Sequence, residues 1–255
     1  MPEATGRNIP LSLPRRFICD LVHFARKVPT VPVQRRMNLA PLVAVRQAAQ
    51  PRPSWCAIFT KAYAFVAAAR PELRRAYLSF PWPHLYEHPI SVASVAVERD
   101  YGGEQAVFFG HLRSPEQQGL LELDAHLRQL KEAPIESVGL FRRVLYTSRF
   151  PRPLRRALWW IGLNVSGSKR AKHLGTFGVS VYSGLGAASL HPLSPLTTAL
   201  NYGVIQPDGS VDVRLIYDHR VLDGSTIARA LLDLERVLTN EIVVEMRYFQ
   251  ALDAA

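Results

Sequence analysis

The stretch Val211–Gly224, VDVRLIYDHRVLDG, decides how the rest of the chain is read. Val211, Val213, Leu215 and Tyr217 recur at every second position, the period of two that a half-buried strand requires. The strand runs directly into His219, with Asp223 four residues on and Gly224 at a strand-to-helix junction. A histidine just past a strand end projects from a turn, and its near-neutral pKa suits a general base. Gly224 suits a tight junction because positive φ costs a glycine nothing. From spacing alone a second account stands beside this one: Asp223 or Ser225 caps the final helix, and His219 is an ordinary loop histidine.

Outward from this segment, strands and helices mix without repeat or linker. Upstream, Gly175–Tyr182 and Thr197–Ile205 read as strands, and Leu222–Asn240 as a turn and a helix striped by Ile227, Leu231, Leu234 and Leu238. Pro10 and Pro14 make residues 1–14 an extended arm, and 15–255 read as a single domain. Within that domain Arg15–Lys27 is a short helix, and Val28–Arg36 a strand that Pro29 and Pro32 confine to a sheet edge. Asn38 caps a helix through Leu42, Val45 and Arg46, and Ser54 opens a long apolar helix ending at Arg70-Pro71. Ser91–Arg99 turns at Asp100–Gly103 into a partner strand, Gln105–Leu112. Residues 115–133 and 151–163 read as amphipathic helices, the second basic and carrying Trp159 and Trp160, followed by a loop rich in Ser, Gly and Lys. That basic helix packs against a neighbouring subunit, or rests on an anionic membrane surface or a lipid-like substrate; its prolines and broad apolar face favour packing.

Of 255 residues 48% are hydrophobic and 20% charged, which supports a sizeable core and excludes a disordered chain. Cys19 and Cys56 are the only cysteines, too few for a disulfide scaffold and in keeping with a reducing, cytoplasmic setting. Basic residues outnumber acidic ones 31 to 21, and only five of the 31 are lysine. The excess admits a nucleic-acid partner, a phosphate-bearing cofactor gripped by arginine forks, or an arginine-biased solvated surface. No apolar stretch reaches the ~20 residues of a membrane span.

Several chemistries find no motif: no G-x-S-x-G elbow, no phosphate loop of the G-x-x-x-x-G-K-[ST] type, no paired C-x-x-C. His84-Leu85-Tyr86-Glu87-His88 matches H-x-x-E-H, but that zinc site needs a helix, and Pro81, Pro83 and Pro89 oppose one. No metal site is expected.

Asp218-His219-Arg220-Val221-Leu222-Asp223-Gly224 resembles the D-H-R-x-x-D-G signature of the catalytic domain of 2-oxo acid dehydrogenase dihydrolipoamide acyltransferases. That family shares its H-x-x-x-D-G core with chloramphenicol acetyltransferase and the wider CoA-dependent acyltransferases. Gly175-Thr176-Phe177-Gly178-Val179-Ser180 is similar to the family's G-T-F-T-I-S strand. Lys61-Ala62 is similar to its K-A helix, and Val28-Pro29, after a helix containing Arg15-Arg16, to its N-terminal entry. Order and spacing agree over about residues 15–240.

The resemblance implies an α/β fold, an α+β two-layer sandwich with a mixed sheet covered by helices, chloramphenicol acetyltransferase-like. It implies direct transfer of an acyl group from an acyl-CoA to a small-molecule hydroxyl, thiol or amine, with coenzyme A as co-substrate and no covalent enzyme intermediate. His219 would be the general base and Ser180 the oxyanion donor, with Ser183 a rival because the chain reaches Gly184-Leu185-Gly186 later than the family does. Asp223 would pair with Arg16, or with Arg15, to fix the turn. Lys169, Arg170 and Lys172 would meet the phosphates of CoA, which makes a CoA donor a better account of the basic excess than nucleic acid. A homotrimer is implied, with His219 of one subunit facing Ser180 of the next. Monomeric members of the superfamily join two such lobes in one chain, and a chain of this length supplies one. No lipoyl or subunit-binding segment is visible, so a free acyl-CoA or another carrier is the expected donor. The rival reading is a non-catalytic assembly or binding module that keeps the fold.

Overall fold

A computed structural model describes residues 6–253, with side chains described to residue 248. Helix α1 (Leu13–Ala25) begins where Ser12 accepts the Arg15 amide, and strand β1 (Thr30–Asn38) follows. Helices α2 (Ala40–Ala48) and α3 (Trp55–Ala69) come next; Ser54 caps α3 through the Ala57 amide, and the helix stops at Arg70-Pro71. Strands β2 (Arg75–Leu78) and β3 (His84–Glu87) form a small separate hairpin, so His84 and Glu87 lie on a strand and not on a helix face. Strands β4 (Val92–Tyr101) and β5 (Glu104–Arg113) pair through a turn whose two glycines, Gly102 and Gly103, both have positive φ.

The second half contains helices α4 (Leu120–Glu132), α5 (Gly139–Thr147), α6 (Arg152–Asn164) and α7 (Gly167–Leu174). Strands β6 (Phe177–Val179), β7 (Thr198–Tyr202) and β8 (Ser210–Asp218) follow, and helices α8 (Gly224–Thr239) and α9 (Glu241–Asp253) complete the described chain. The main sheet has the order β1-β8-β7-β6-β4-β5. It is mixed: β6 runs parallel to both β4 and β7, and the other pairings are antiparallel. Pro32 sits in β1, an edge strand, as a residue without an amide hydrogen requires.

One face of the sheet carries the core. Phe59 of α3 stacks on Tyr202 at a ring-centroid distance of 4.0 Å, Tyr63 packs tilted against Phe177 at 4.7 Å, and α8 adds Ile227, Leu231, Leu234 and Leu238, each at most 1% exposed. The Tyr63 hydroxyl donates to Thr198 at 2.8 Å, and its burial pushes its pKa up. Lys61, the counterpart of the family's K-A lysine, is buried and makes a 2.5 Å ion pair with Glu245. Its ammonium is therefore occupied inside the fold.

The sequence-derived boundaries need correction at several points: the strand read at 197–205 is Thr198–Tyr202, that at 28–36 is Thr30–Asn38, and Asn38 closes β1 while Leu39 is the N-cap of α2. The helix placed at 115–133 starts at Leu120, because Ser114 adopts a left-handed φ of 43°, residues 115–117 make a single 3-10 turn, and Gly119 is extended. The Ser-Gly-Lys loop after α6 is helix α7, capped by the Ser166 hydroxyl on the Lys169 amide. Strand 175–182 shortens to the three residues of β6. Gly224 opens α8 without a positive φ, so conformational freedom is not what the junction uses it for. The hairpin β2–β3 and helices α5 and α9 are elements the sequence patterns did not disclose.

Candidate active site

The end of β8 builds a rigid turn around His219. Asp218 is fully buried, and its carboxylate takes a two-pronged contact from Arg220, Nε to Oδ1 at 2.9 Å and Nη2 to Oδ2 at 2.7 Å. The same carboxylate accepts the Arg220 amide at 3.0 Å, and the Asp218 carbonyl accepts the amides of Val221 and Leu222. The Arg220 guanidinium lies 4.3 Å over the Tyr77 ring. A charge-assisted fork of this kind is strong and geometrically specific. Flanked by its two members, His219 has its amide bound to the Pro29 carbonyl at 3.0 Å and its imidazole turned outward, 49% exposed. Asp218 and Arg220 are functional candidates that the motif spelled out but residue-type reasoning left unassigned.

Asp223 lies beside the imidazole, with 3.7 Å between Nδ1 and Oδ1, and is 82% exposed. The expected pair with Arg16 is not made within the chain. The Arg16 guanidinium donates to the Leu11 carbonyl, and Arg15 pairs with Glu104 at the start of β5. The N-terminus of α1 thus sits at the hairpin end of the sheet, whereas Asp223 follows the opposite end. Burial next to Asp223 raises the pKa of Tyr217, whose ring is 5.4 Å from that of His219.

Ser180 directly follows β6 and faces away from the core, because Phe177 and Val179 take the buried side. Its amide donates to the Leu200 carbonyl at 3.1 Å, and its own carbonyl accepts Asn201 Nδ2 at 2.5 Å. Asn201 is fully buried and its Oδ1 has no partner. Asn201 is opposite Arg214 in the β7–β8 register. Ser183, the rival donor, hydrogen-bonds the Tyr202 hydroxyl, which leaves the Ser180 hydroxyl the less encumbered of the two.

Ser180 and His219 do not meet in one chain. Ser180 stands level with Asn201 and Arg214, five residues before His219 along β8 and two strands to the side. At about 3.3 Å per residue and 4.8 Å per strand the separation is roughly 15–20 Å. The three cations expected to act together also part company. Lys169 and Lys172 are exposed, but Arg170 is buried and donates to the carbonyls of Tyr77, Leu163 and Pro195. Burial lowers its pKa to about 10, and the nearby Asp218 offsets part of the cost. Arg170 is a joint of the fold and cannot reach a phosphate.

Ser180 also lines an open cavity of about 1330 Å³ on the outer face of the sheet, beneath α1, α6 and α7. His111 on its wall is held down to about 4, by burial first and by His173 next. Among the described residues no cluster of His, Cys, Asp or Glu is arranged to hold a metal ion, and no helix is long and apolar enough to cross a membrane.

This sheet order, with a histidine turn after β8 and a serine after β6, is an acyltransferase fold, the α/β two-layer architecture of chloramphenicol acetyltransferase. A chloramphenicol acetyltransferase matches with TM-score 0.51 at 14% identity, over 85% of this chain and 92% of that one. Within the class, the chain has the fold of dihydrolipoamide acetyltransferase catalytic cores. It is similar to the Azotobacter vinelandii dihydrolipoamide acetyltransferase, with TM-score 0.70 and 20% identity over 93% of each chain. That protein has been investigated for the role of a serine, a histidine and an asparagine in its catalytic mechanism. The cubic core of the pyruvate dehydrogenase multienzyme complex matches with TM-score 0.67 and 18% identity, again over 93% of each chain. No family model and no curated protein matches the sequence.

Proposed function

We propose that the protein is an acyltransferase that moves an acyl group from an acyl-CoA-type thioester to a hydroxyl, thiol or amine acceptor. His219 takes the proton from the acceptor as its heteroatom attacks the thioester carbonyl. The carbonyl oxygen becomes an oxyanion that accepts a hydrogen bond from the Ser180 hydroxyl. Collapse expels the CoA thiolate, which takes the proton back from the imidazolium, so no covalent enzyme intermediate forms. Asp223, beside Nδ1, would orient the ring, and the Asp218–Arg220 fork would hold its backbone. In the role expected of Arg16, its contact with Leu11 leaves only a local one. Lys169 and Lys172 would meet the CoA phosphates.

One observation carries the reading: His219 and Ser180 stand at opposite ends of one sheet, each accessible, on a fold whose relatives are acyltransferases. A complete site then needs two copies, and a homotrimer in the cytoplasm, with His219 of one copy facing Ser180 of the next, supplies it. The test is thiol release from acetyl-CoA across a panel of acceptors. His219→Ala should lower the rate by about 10²–10⁴ without changing the oligomer, and Ser180→Ala by about 10²–10³. Undiminished transfer by His219→Ala overturns the assignment of the base.

A further inference from the structure

The cavity that Ser180 lines is much larger than a two-carbon acyl group needs. At about 1330 Å³ it exceeds the roughly 300–1,000 Å³ of ordinary small-molecule pockets. Its lining includes the outer face of the sheet, where Ala96, Gly178 and Ala199 are small, and reaches the core-side residues Val95, Val97, Val179 and Tyr202. Over them lies an apolar roof from α1 and α6, with Phe17 packed on Trp159 at 5.2 Å. Large apolar side chains line the cavity while still exposed: Leu158 and Ile161 of α6, Val165 just after it, and Leu185 and Leu193 of the loop after Ser180. Exposed apolar groups concentrated around one opening mark a ligand or partner.

The charges name which ligand. Arg143 and Lys169 line the cavity where α5 and α7 approach, and no carboxylate forms an ion pair with either among the described residues. Arg143 donates to His173 Nδ1 at 2.7 Å, which keeps that ring neutral; burial and the same arginine hold its pKa below the usual histidine range. Asp20, the buried carboxylate of the wall, is already matched by Arg155 at 2.6 Å and Arg156 at 3.8 Å. The lining is largely apolar; its other cations are Arg15, Arg46, Lys131 and Arg155 and its other carboxylate is Glu98, while Arg143 and Lys169 mark the part where α5 and α7 approach.

We infer that this cavity receives a long, saturated or near-saturated acyl chain whose anionic head, a carboxylate or the phosphates of its thioester carrier, lies at Arg143 and Lys169. The inference deepens the acyltransferase reading and rests on it for the word donor, but chain binding is measurable without turnover. Gly162, in the last turn of α6, lines the cavity, and a Cβ added there meets nothing within 4 Å. Gly162→Phe projects a ring from a position with room for its Cβ, and replacing a helical glycine favours the helix.

Equilibrium binding of saturated acyl-CoA thioesters, from acetyl to hexadecanoyl, should tighten about tenfold for every two methylenes that enter the cavity. Gly162→Phe should weaken hexadecanoyl-CoA at least tenfold and leave acetyl-CoA unchanged. Arg143→Ala with Lys169→Ala should weaken hexadecanoate and spare hexadecanol. Affinity independent of chain length, or full hexadecanoyl affinity in Gly162→Phe, overturns the inference. His219→Ala separates the two readings because it should lose transfer and keep chain binding. Chain binding with no transfer from any donor sinks the acyltransferase and leaves the chain site; acetyl transfer with flat chain dependence does the reverse.

Discussion

The two faces of the six-stranded sheet are built from the same strands and end differently. On the core face, Phe59, Tyr63, Phe108 and Phe177 each pack against another aromatic ring and are at most 1% exposed. On the outer face, the alternate positions of those strands are Ser94, Ala96, Gly178 and Ala199, and the helices above them stand off. The difference teaches that side-chain volume, not backbone, decides which face is structure and which is available for chemistry. A protein interior packs to crystal density, so an open face beside a closed one is sequence-encoded.

The contrast can be broken most severely on the closed side. Phe59→Ala should cost about 3–5 kcal/mol, measured as a fall in the denaturant midpoint, because the Tyr202 ring 4.0 Å away loses its partner. Acid should act next, and from the open side. His111 titrates near 4 in the folded protein against about 6.5 unfolded, so the unfolded chain takes up the proton first. Its contribution is intact above pH 6.5 and is lost as pH falls toward 4, by on the order of 3 kcal/mol. His111→Gln should flatten that part of the stability profile; an unchanged slope would show the ring already exposed to protons.

Adding one methyl group to each face sharpens the comparison at lower cost. Gly110 is in β5 on the core face, and a Cβ there would come within 2.4 Å of Leu130, so Gly110→Ala should destabilise by about 1–3 kcal/mol. Gly178 is on the outer face, where a Cβ meets nothing nearer than 3.6 Å. Gly178→Ala should shift the melting midpoint least of the four, by no more than the equivalent of about 0.5 kcal/mol. Equal effects at Gly110 and Gly178 would refute the distinction between the faces.

What the sequence made legible follows the range of the interactions. Helix α3 could be bounded to the residue because its signals are local, the Ser54 cap and the Arg70-Pro71 stop. The edge position of β1 was legible through Pro32, and the mixed sheet only through the family resemblance. Helix α7 was not, since Gly167-Ser168-Lys169 has a loop's composition and its order comes from Arg170 reaching three distant carbonyls. At the site, the histidine turn and the serine strand could be found by motif. The Arg16–Asp223 pair could not be judged that way, because only the sheet shows that α1 begins at the far end from Asp223. The Asn201 contact to Ser180 is equally invisible to spacing, being a cross-strand bond between segments 21 residues apart.

Arg170 has a mechanical consequence. Its guanidinium joins the hairpin at Tyr77, the end of α6 at Leu163 and the loop at Pro195, three segments with no common backbone pairing. The three acceptors are reached from two nitrogens held apart in a rigid planar fork, a spacing that lysine's single nitrogen does not reproduce. The three segments should therefore loosen together, as one cooperative unit in amide hydrogen exchange, and not one by one. A single side chain makes the roof, the hairpin and the loop over the sheet one moving part.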